Sequence, residues 1–562
     1  MPTPEGVDSE VAAPTGGHIA GDLTSPRGAF PNALRRWLRS DLAAITGAFL
    51  PLGYCLIRGA MGASLWLDEI LYYNFEKHPE VRAIELGVPG SFWARRLGPY
   101  AYCDWMRGVH GLFDLVGFHV WRNPELFLRL PSLLFFAASV VLLYFLALRI
   151  GGDRLWAFGV ALAFGSTPGF LFYAFEARVY SFAALAVIAF LACLVLVLEG
   201  AGPKVLALGV GLGVLVAWSH PWNACLLAGL GLCLPFLIWR QPRQWRRGFR
   251  IAILISLGSA LTLLQAAYIF SIRVAGQHGI PFLEPQPWKS VLWSTVYGPF
   301  LGLLRGDPEY VLGILFVISI WRARPPQGWC LPAATAIGLA LSVVAISKLG
   351  NGISPRHQMG LYAGIFVSLA VMRAGYVTKA LLANIVGINL VLLAGTSQRI
   401  EAKGNARAIA QAIASSEAHT VPVVVQHSYG FGYADPLHSI PLAFYLAGDG
   451  LPPGIPVTEI LELPTHRDVG RVWIDRDYFV NGVARIGEFS RAPVEEWTAY
   501  LSRLPAPALW LVAPQSSPID RTQEKQYEIA LRRAGFVRDP GVREFTGHPP
   551  TKLMLWRRAE AH

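Results

Sequence analysis

The chain has little charge. Of its 562 residues only 15% are Asp, Glu, Lys or Arg, against about 25% in soluble domains. Hydrophobic residues make up 53%, and the mean hydropathy is +0.41. That balance excludes an ordinary soluble globular protein and describes a polytopic membrane protein. Paired cysteines are also missing. The six Cys (Cys55, Cys103, Cys193, Cys225, Cys233, Cys330) form no C-x-x-C unit and mostly lie inside apolar runs, which argues against a disulfide framework and a zinc site. There is no Asn-x-Ser/Thr sequon, a pattern expected of a bacterial inner membrane protein rather than one of the endoplasmic reticulum. Neither a Walker A motif nor a dinucleotide-type glycine fingerprint before a helix occurs. No repeat of 20–50 residues and no inverted pair of halves stands out.

What charge there is has a pattern. The net charge of +11 comes from Lys and Arg set in short runs between apolar segments, which suits topology and anionic lipid rather than a nucleic-acid groove. Residues 1–40 read as a disordered cytoplasmic tail, polar and rich in Gly and Pro over the first thirty positions. Arg35, Arg36 and Arg39 precede an apolar run too long for a cleaved signal peptide, so that run reads as an anchor with its N-terminus inside. A span needs about 20 apolar residues. Eleven candidates fall near 41–61, 131–149, 155–175, 178–199, 204–219, 221–239, 251–272, 309–321, 330–347, 357–373 and 379–397. Alternate connections then carry Arg149 and Arg154, Lys204, the arginines between 240 and 250, Arg322 and Arg324, and Arg373 and Lys379, all on the cytoplasmic side. The parity requires that Val291–Leu304 lie on the outer face as an interfacial helix.

The expected architecture is therefore a transmembrane domain over 41–397 with a large first outer loop, 62–130, and a periplasmic α/β domain over 398–562. The loop spreads Trp66, Trp93, Trp105, Phe118 and Trp121 among charges, as amphipathic helices on the outer leaflet would. In the tail, helical patterns at Asn405–Ser415, Val494–Leu504 and Glu524–Ala534 alternate with apolar runs at Val421–Gln426, Ala508–Ala513 and Leu553–Trp556. This alternation predicts a small, largely parallel sheet.

Ionisable residues gather at the outer ends of the spans. They are Asp68 and Glu69 after the first span, then Glu176, Arg178 and Tyr180, then His220, then Lys348, Arg356 and His357. Each has a purely structural alternative: a helix N-terminus for Asp68 and Glu69, snorkelling for Arg178 and Arg356, pairing of Glu176 with Arg178, a satisfied core histidine for His220. Their collection at one depth favours a shared aqueous cavity. Carboxylates at one mouth and arginines at another suit transfer of a group away from a phosphate. An acid takes a proton from an attacking hydroxyl, and guanidinium groups stabilise the departing phosphate. Nucleotide donors are scarce outside the cell, so a lipid-linked phosphate donor fits the geometry.

The motifs Trp66-Leu67-Asp68-Glu69, Glu176-Ala177-Arg178-Val179-Tyr180, His220-Pro221 and the run Asn123-Pro124-Glu125-Leu126-Phe127-Leu128-Arg129-Leu130-Pro131-Ser132 resemble those of GT-C glycosyltransferases. The resemblance is to the protein O-mannosyltransferase and lipid A aminoarabinose transferase branch, and it covers about the first 400 residues. It implies a polyprenyl-phosphate sugar donor and transfer of a hexosyl or pentosyl group, with inversion, on the periplasmic face. The acceptor would be a hydroxyl of a glycan, lipid or protein. Asp68 would then be the base with Glu69 beside it, Glu176, Arg178, Tyr180 and His220 would line the cavity, and Arg356, with Lys348 and His357, would meet the lipid phosphate. A divalent metal ion bridging Asp68 or Glu69 to the donor is compatible with the same residues. Two positions depart from the family pattern: only Pro99-Tyr100 stands where relatives have His-Pro-Pro-Leu-Tyr, and Pro355-Arg356-His357 replaces Pro-Arg-Tyr. The competing classes are a transporter or flippase of a lipid-linked sugar, and an O-antigen ligase or polymerase using a pyrophosphate-linked donor.

Overall fold

The structure is a computed structural model. It describes residues 40–60, 63, 69, 124–220, 222–239, 246, 248–257, 259–260, 288–289, 292, 308–322, 329–349, 358–401, 404–419, 421–425, 442, 445–446, 460–461, 494–515, 518–546 and 550–559. The chain divides into two compact units, residues 1–44 and 45–562. Of the first, residues 40–44 are described and are helical.

The second unit is mostly helical with one small sheet. Its apolar helices are α1 (Leu50–Ile57), α2 (Pro124–Gly151), α3 (Arg154–Ser166), α4 (Pro168–Ala174), α5 (Tyr180–Leu198), α6 (Pro203–Ser219), α7 (Asn223–Trp239), α8 (Pro308–Arg322), α9 (Cys330–Leu349), α10 (Met359–Ala370) and α11 (Tyr376–Glu401). Among the described residues three helices are long and apolar enough to cross a membrane, Glu125–Gly151, Tyr180–Leu198 and Tyr376–Glu401. The number rises to five if each of two bent pairs is one span. One such pair is α3 and α4, which meet at 64°. The break has a local cause. Thr167 adopts an extended backbone, as the residue before a proline tends to, and Pro168 starts a new helix at its first position, where a missing N–H costs nothing.

Helix α2 begins at Pro124, seven residues before the apolar run that announces it. Hydropathy places the boundary at Pro131 because Glu125 and Arg129 interrupt the apolar pattern. The helix continues through them because both side chains are paired, as described below. α5 is buried over most of its length and packs against α2, α6 and α10, forming the centre of the bundle. α7 and α9 cross closely: a Cβ on Gly229 would lie 2.3 Å from the Ala334 carbonyl oxygen, and one on Gly338 only 3.0 Å from the Leu226 Cα. Small residues at the crossing are how membrane helices bring backbones together without a hydrophobic driving force.

After α11 follow α12 (Ala406–Ala414), β1 (Val423–Val425), β2 (Ile460–Leu461), α13 (Val494–Arg503), β3 (Ala508–Pro514), α14 (Pro518–Arg533), β4 (Phe536–Phe545) and β5 (Thr551–Arg558). The strand order is β2-β1-β3-β5-β4. β1 runs parallel to β2 and β3, whereas β5 pairs antiparallel with β3 and with β4. The sheet is thus mixed, not largely parallel. The connection from β4 to β5 is too short for a crossover helix, so these strands form an antiparallel ribbon. β4 escapes the sequence reading because its residues are mostly exposed and it contains Asp539-Pro540-Gly541, a turn signature, where the pairing register shifts. One face of the sheet packs on Trp497, Leu501, Tyr527 and Leu531 of α13 and α14. The other packs on α12 and on Phe127, Leu128 and Ala177, so the apolar core of this layer runs into the start of α2 and the bend between α4 and α5.

Candidate functional site

Three sequence motifs separated by 60 and 48 positions converge on one buried ion pair. Arg129 lies in the second turn of α2, one turn past Glu125. Its Nη2 donates to Glu69 Oε2 at 2.7 Å and its Nε to Oε1 at 3.0 Å, while Nη1 donates to the Ala63 carbonyl at 2.7 Å. Both side chains have zero exposure. The two parallel bonds form the planar fork that only arginine offers a carboxylate. Glu69 Oε1 also accepts the backbone N–H of Ala177 at 2.9 Å. Ala177 sits in the five-residue bend between α4 and α5, so the carboxylate ties the Asp68-Glu69 stretch to the start of α2 and to the Glu176–Tyr180 segment. A second tie runs beside it: Ser132 Oγ donates to the Arg178 carbonyl at 3.0 Å.

Such a pair does little for net stability, because removing two charges from water consumes most of their attraction. What it fixes is geometry. Three segments remote in sequence are held within hydrogen-bond reach of one carboxylate.

From this pair a row of polar and aromatic groups extends. Glu176 is fully buried next to Ala177. The Arg178 guanidinium donates to the Tyr180 hydroxyl at 3.3 Å and lies 5.7 Å from that ring's centroid. Tyr180 is 5.1 Å, centroid to centroid, from Tyr173 and 6.1 Å from His220. His220 is buried at the end of α6, and its Nδ1 accepts the Trp222 N–H at 3.4 Å, which places its proton on Nε2 when the ring is neutral. The next turn is held by Asn223, whose amide donates to Ser219 Oγ at 2.9 Å and the Val216 carbonyl at 3.3 Å. At the entry to α10, Gln358 donates to Ser342 Oγ at 2.8 Å and accepts from the Tyr362 hydroxyl. This fixes the residue that directly follows Arg356 and His357.

The structure thus brings Glu69, Glu176, Arg178, Tyr180 and His220 into one region. Asp68, Arg356 and His357 lie outside the described residues. Lys348 lies within α9, and its side chain is outside them. Among the described residues no three His, Cys, Asp or Glu side chains form an ion-binding group. Two participants stand outside the sequence-derived site. Arg129 was visible only as part of the Arg-Leu-Pro-Ser run, and its signal was a charge where a span should already have begun. Glu125 has the same signal: its Oε1 accepts the Tyr445 hydroxyl at 2.8 Å and pairs with Arg407 of α12.

No family model matches the chain, and no curated protein matches it. Its fold is similar to that of solved structures. ArnT from Cupriavidus metallidurans in the apo state matches with a TM-score of 0.45 at 13% identity, over 94% of this chain and 98% of that one. The same protein bound to undecaprenyl phosphate gives 0.47 at 13% identity, over 92% and 98%. The archaeal oligosaccharyltransferase AglB from Archaeoglobus fulgidus, in complex with an inhibitory peptide and a dolichol-phosphate, gives 0.38 at 11% identity, over 75% and 65%. Likeness at this level assigns no donor, acceptor or residue role. The solved structures that this chain is similar to are GT-C glycosyltransferases.

Proposed function

We propose that this protein is a membrane glycosyltransferase that moves a sugar from a polyprenyl-phosphate donor to an acceptor hydroxyl on the periplasmic face of a bacterial inner membrane. The observation that supports this reading best is the Glu69–Arg129 fork with its bond to Ala177 N–H. It gathers the carboxylate motif, the entry to α2 and the Glu-Ala-Arg-Val-Tyr segment, three of the four stretches on which the family resemblance rests.

In the proposed reaction the acceptor oxygen attacks the anomeric carbon and the carbon–oxygen bond to the phosphate breaks. Asp68 takes the acceptor proton, an assistance worth roughly 10²–10⁴ in rate. Inversion follows from a single displacement. Polyprenyl phosphate departs with one more negative charge, which Arg356 meets with two parallel N–H donors, supported by Lys348 and His357. Glu69 has another task. With three donors on it, it anchors the backbone next to Asp68 rather than moving protons. Arg178, Tyr180 and His220 line the path of the sugar, the aromatic faces suiting its C–H surfaces and the polar atoms its hydroxyls.

The test is direct. Purified protein is incubated with polyprenyl-monophosphate sugars, and free polyprenyl phosphate is followed by mass spectrometry. Release with a monophosphate donor, coupled to appearance of the glycosylated acceptor, is the expected result. Movement of intact donor across vesicles without cleavage would make the protein a flippase, and cleavage only of pyrophosphate-linked donors would make it a ligase or polymerase.

A further inference from the structure

Glu125 and Arg129 stand one turn apart on α2, the spacing at which a helix ordinarily forms its own ion pair. Arg129 instead takes Glu69, sixty residues away. Glu125 is almost as buried, at 1% exposure, and its carboxylate faces the layer that follows α11. There the Tyr445 hydroxyl donates to Oε1 at 2.8 Å, and Arg407 pairs with the same oxygen while its guanidinium lies 5.5 Å from the Tyr445 ring centroid. Phe127 and Leu128, between the two charged residues, belong to the apolar core of that layer.

From this arrangement we infer that Arg407 and Tyr445 act as a lock: by occupying Glu125 they keep Arg129 on Glu69. Two carboxylates compete for one guanidinium, and the C-terminal layer supplies a second cation that settles the competition. Arg407, Tyr445 and Glu125 are therefore positioning residues for the stretch that carries Asp68. The layer after α11 works as part of the catalytic unit, and its detachment would misalign the site from a distance. The catalytic half of this inference rests on the glycosyltransferase reading. The lock itself does not.

Arg407→Met keeps the side-chain stem and the helix but removes the cation. The expected result is roughly 10- to 100-fold faster hydrogen exchange at the Ala177 amide, the size of losing one charge-assisted hydrogen bond, with sugar transfer falling alongside. Glu125→Gln combined with Arg407→Met removes the competitor as well, and both exchange and transfer are expected to return towards wild type. Arg407→Lys and Tyr445→Phe, each keeping part of the lock, fall between and serve if the Met variant does not fold. Simple docking predicts the opposite for the double variant, since losing both partners would loosen the layer further. Unchanged exchange in Arg407→Met, or no recovery in the double variant, would overturn the lock. If instead wild type transfers no sugar while exchange behaves as described, the lock stands and the proposed function falls.

Discussion

The two ends of α2 carry ion pairs of opposite character. At its N-terminal end, Arg129 and Glu69 meet in a bidentate fork with zero exposure. Just beyond its C-terminal end, about 33 Å further along the helix axis by the 1.5 Å rise per residue, Asp153 pairs with Lys379 with both side chains about a third exposed. Arg149 reaches Glu199 in the same neighbourhood, more exposed still. Asp153 also caps α3, accepting the Trp156 N–H at 3.1 Å. The exposed pairs tie adjacent helices where water can solvate either partner, so each is replaceable. The buried pair has no solvent to fall back on and, with the Ala177 N–H on the same carboxylate, holds three segments at one point. Charge at the exposed end joins neighbouring helices at solvent, whereas charge at the buried end gathers three segments around one carboxylate.

That contrast predicts a ranking of mutational effects. The largest falls on the buried pair. Arg129→Met leaves Glu69 buried without its main partner and is expected to cost about 3–5 kcal/mol of stability. A thermal melt in detergent checks it, and Glu69→Gln in the same background is expected to recover part of the loss by removing the stranded charge. A melt unchanged by Arg129→Met would erase the distinction between the two ends. Next comes Arg356→Lys, which keeps the charge but loses the fork. Donor binding is expected to weaken roughly 10- to 100-fold with the melt unmoved.

The smallest effect belongs to the exposed end. Lys379→Ala is expected to cost about 0–1 kcal/mol, as solvated pairs do. Its pH dependence has a definite sign. The hydrogen bond from Lys379, helped by the Trp156 N–H, holds the Asp153 carboxyl below its ordinary value. Its contribution is therefore full above the ordinary aspartate range, near pH ~4, and is lost as pH falls through the lowered value. Acid-unfolding curves of wild type and Lys379→Ala should converge there. Orientation is checked by Ser415→Cys, an exposed position after α12. Four of the natural cysteines, Cys55, Cys193, Cys233 and Cys330, are buried; with Cys103 and Cys225 replaced by Ser, labelling of the new thiol from outside the cell is expected.

How much of this was legible in the sequence differs by feature. Apolar runs announced most bundle helices to within a few residues, because lipid exposure and burial both demand apolar side chains. α12, α13 and β3 emerged at nearly their expected bounds, since periodicity and turn residues agree there. The start of α2 did not, because Glu125 and Arg129 look like loop residues until their partners are known. Those partners lie 60, 282 and 320 positions away, and no spacing rule reaches that far. β4 was missed for the complementary reason: an edge strand facing solvent has no alternation to read. The grouping of Glu69, Glu176, Arg178, Tyr180 and His220 was expected from membrane depth alone. The way they are tied together, through Arg129 and the Ala177 amide, required the fold.

The measurement that bears most directly on the proposed chemistry is single-turnover sugar transfer by Asp68→Asn with saturating donor. Asn preserves size and can still accept a hydrogen bond, so the neighbouring Glu69–Arg129 anchor should hold. It cannot take the acceptor's proton. Transfer is expected to slow roughly 10²–10⁴-fold, with donor binding and thermal stability as in wild type. Transfer at the wild-type rate would contradict this, leaving Asp68 a helix-terminal residue beside a structural ion pair.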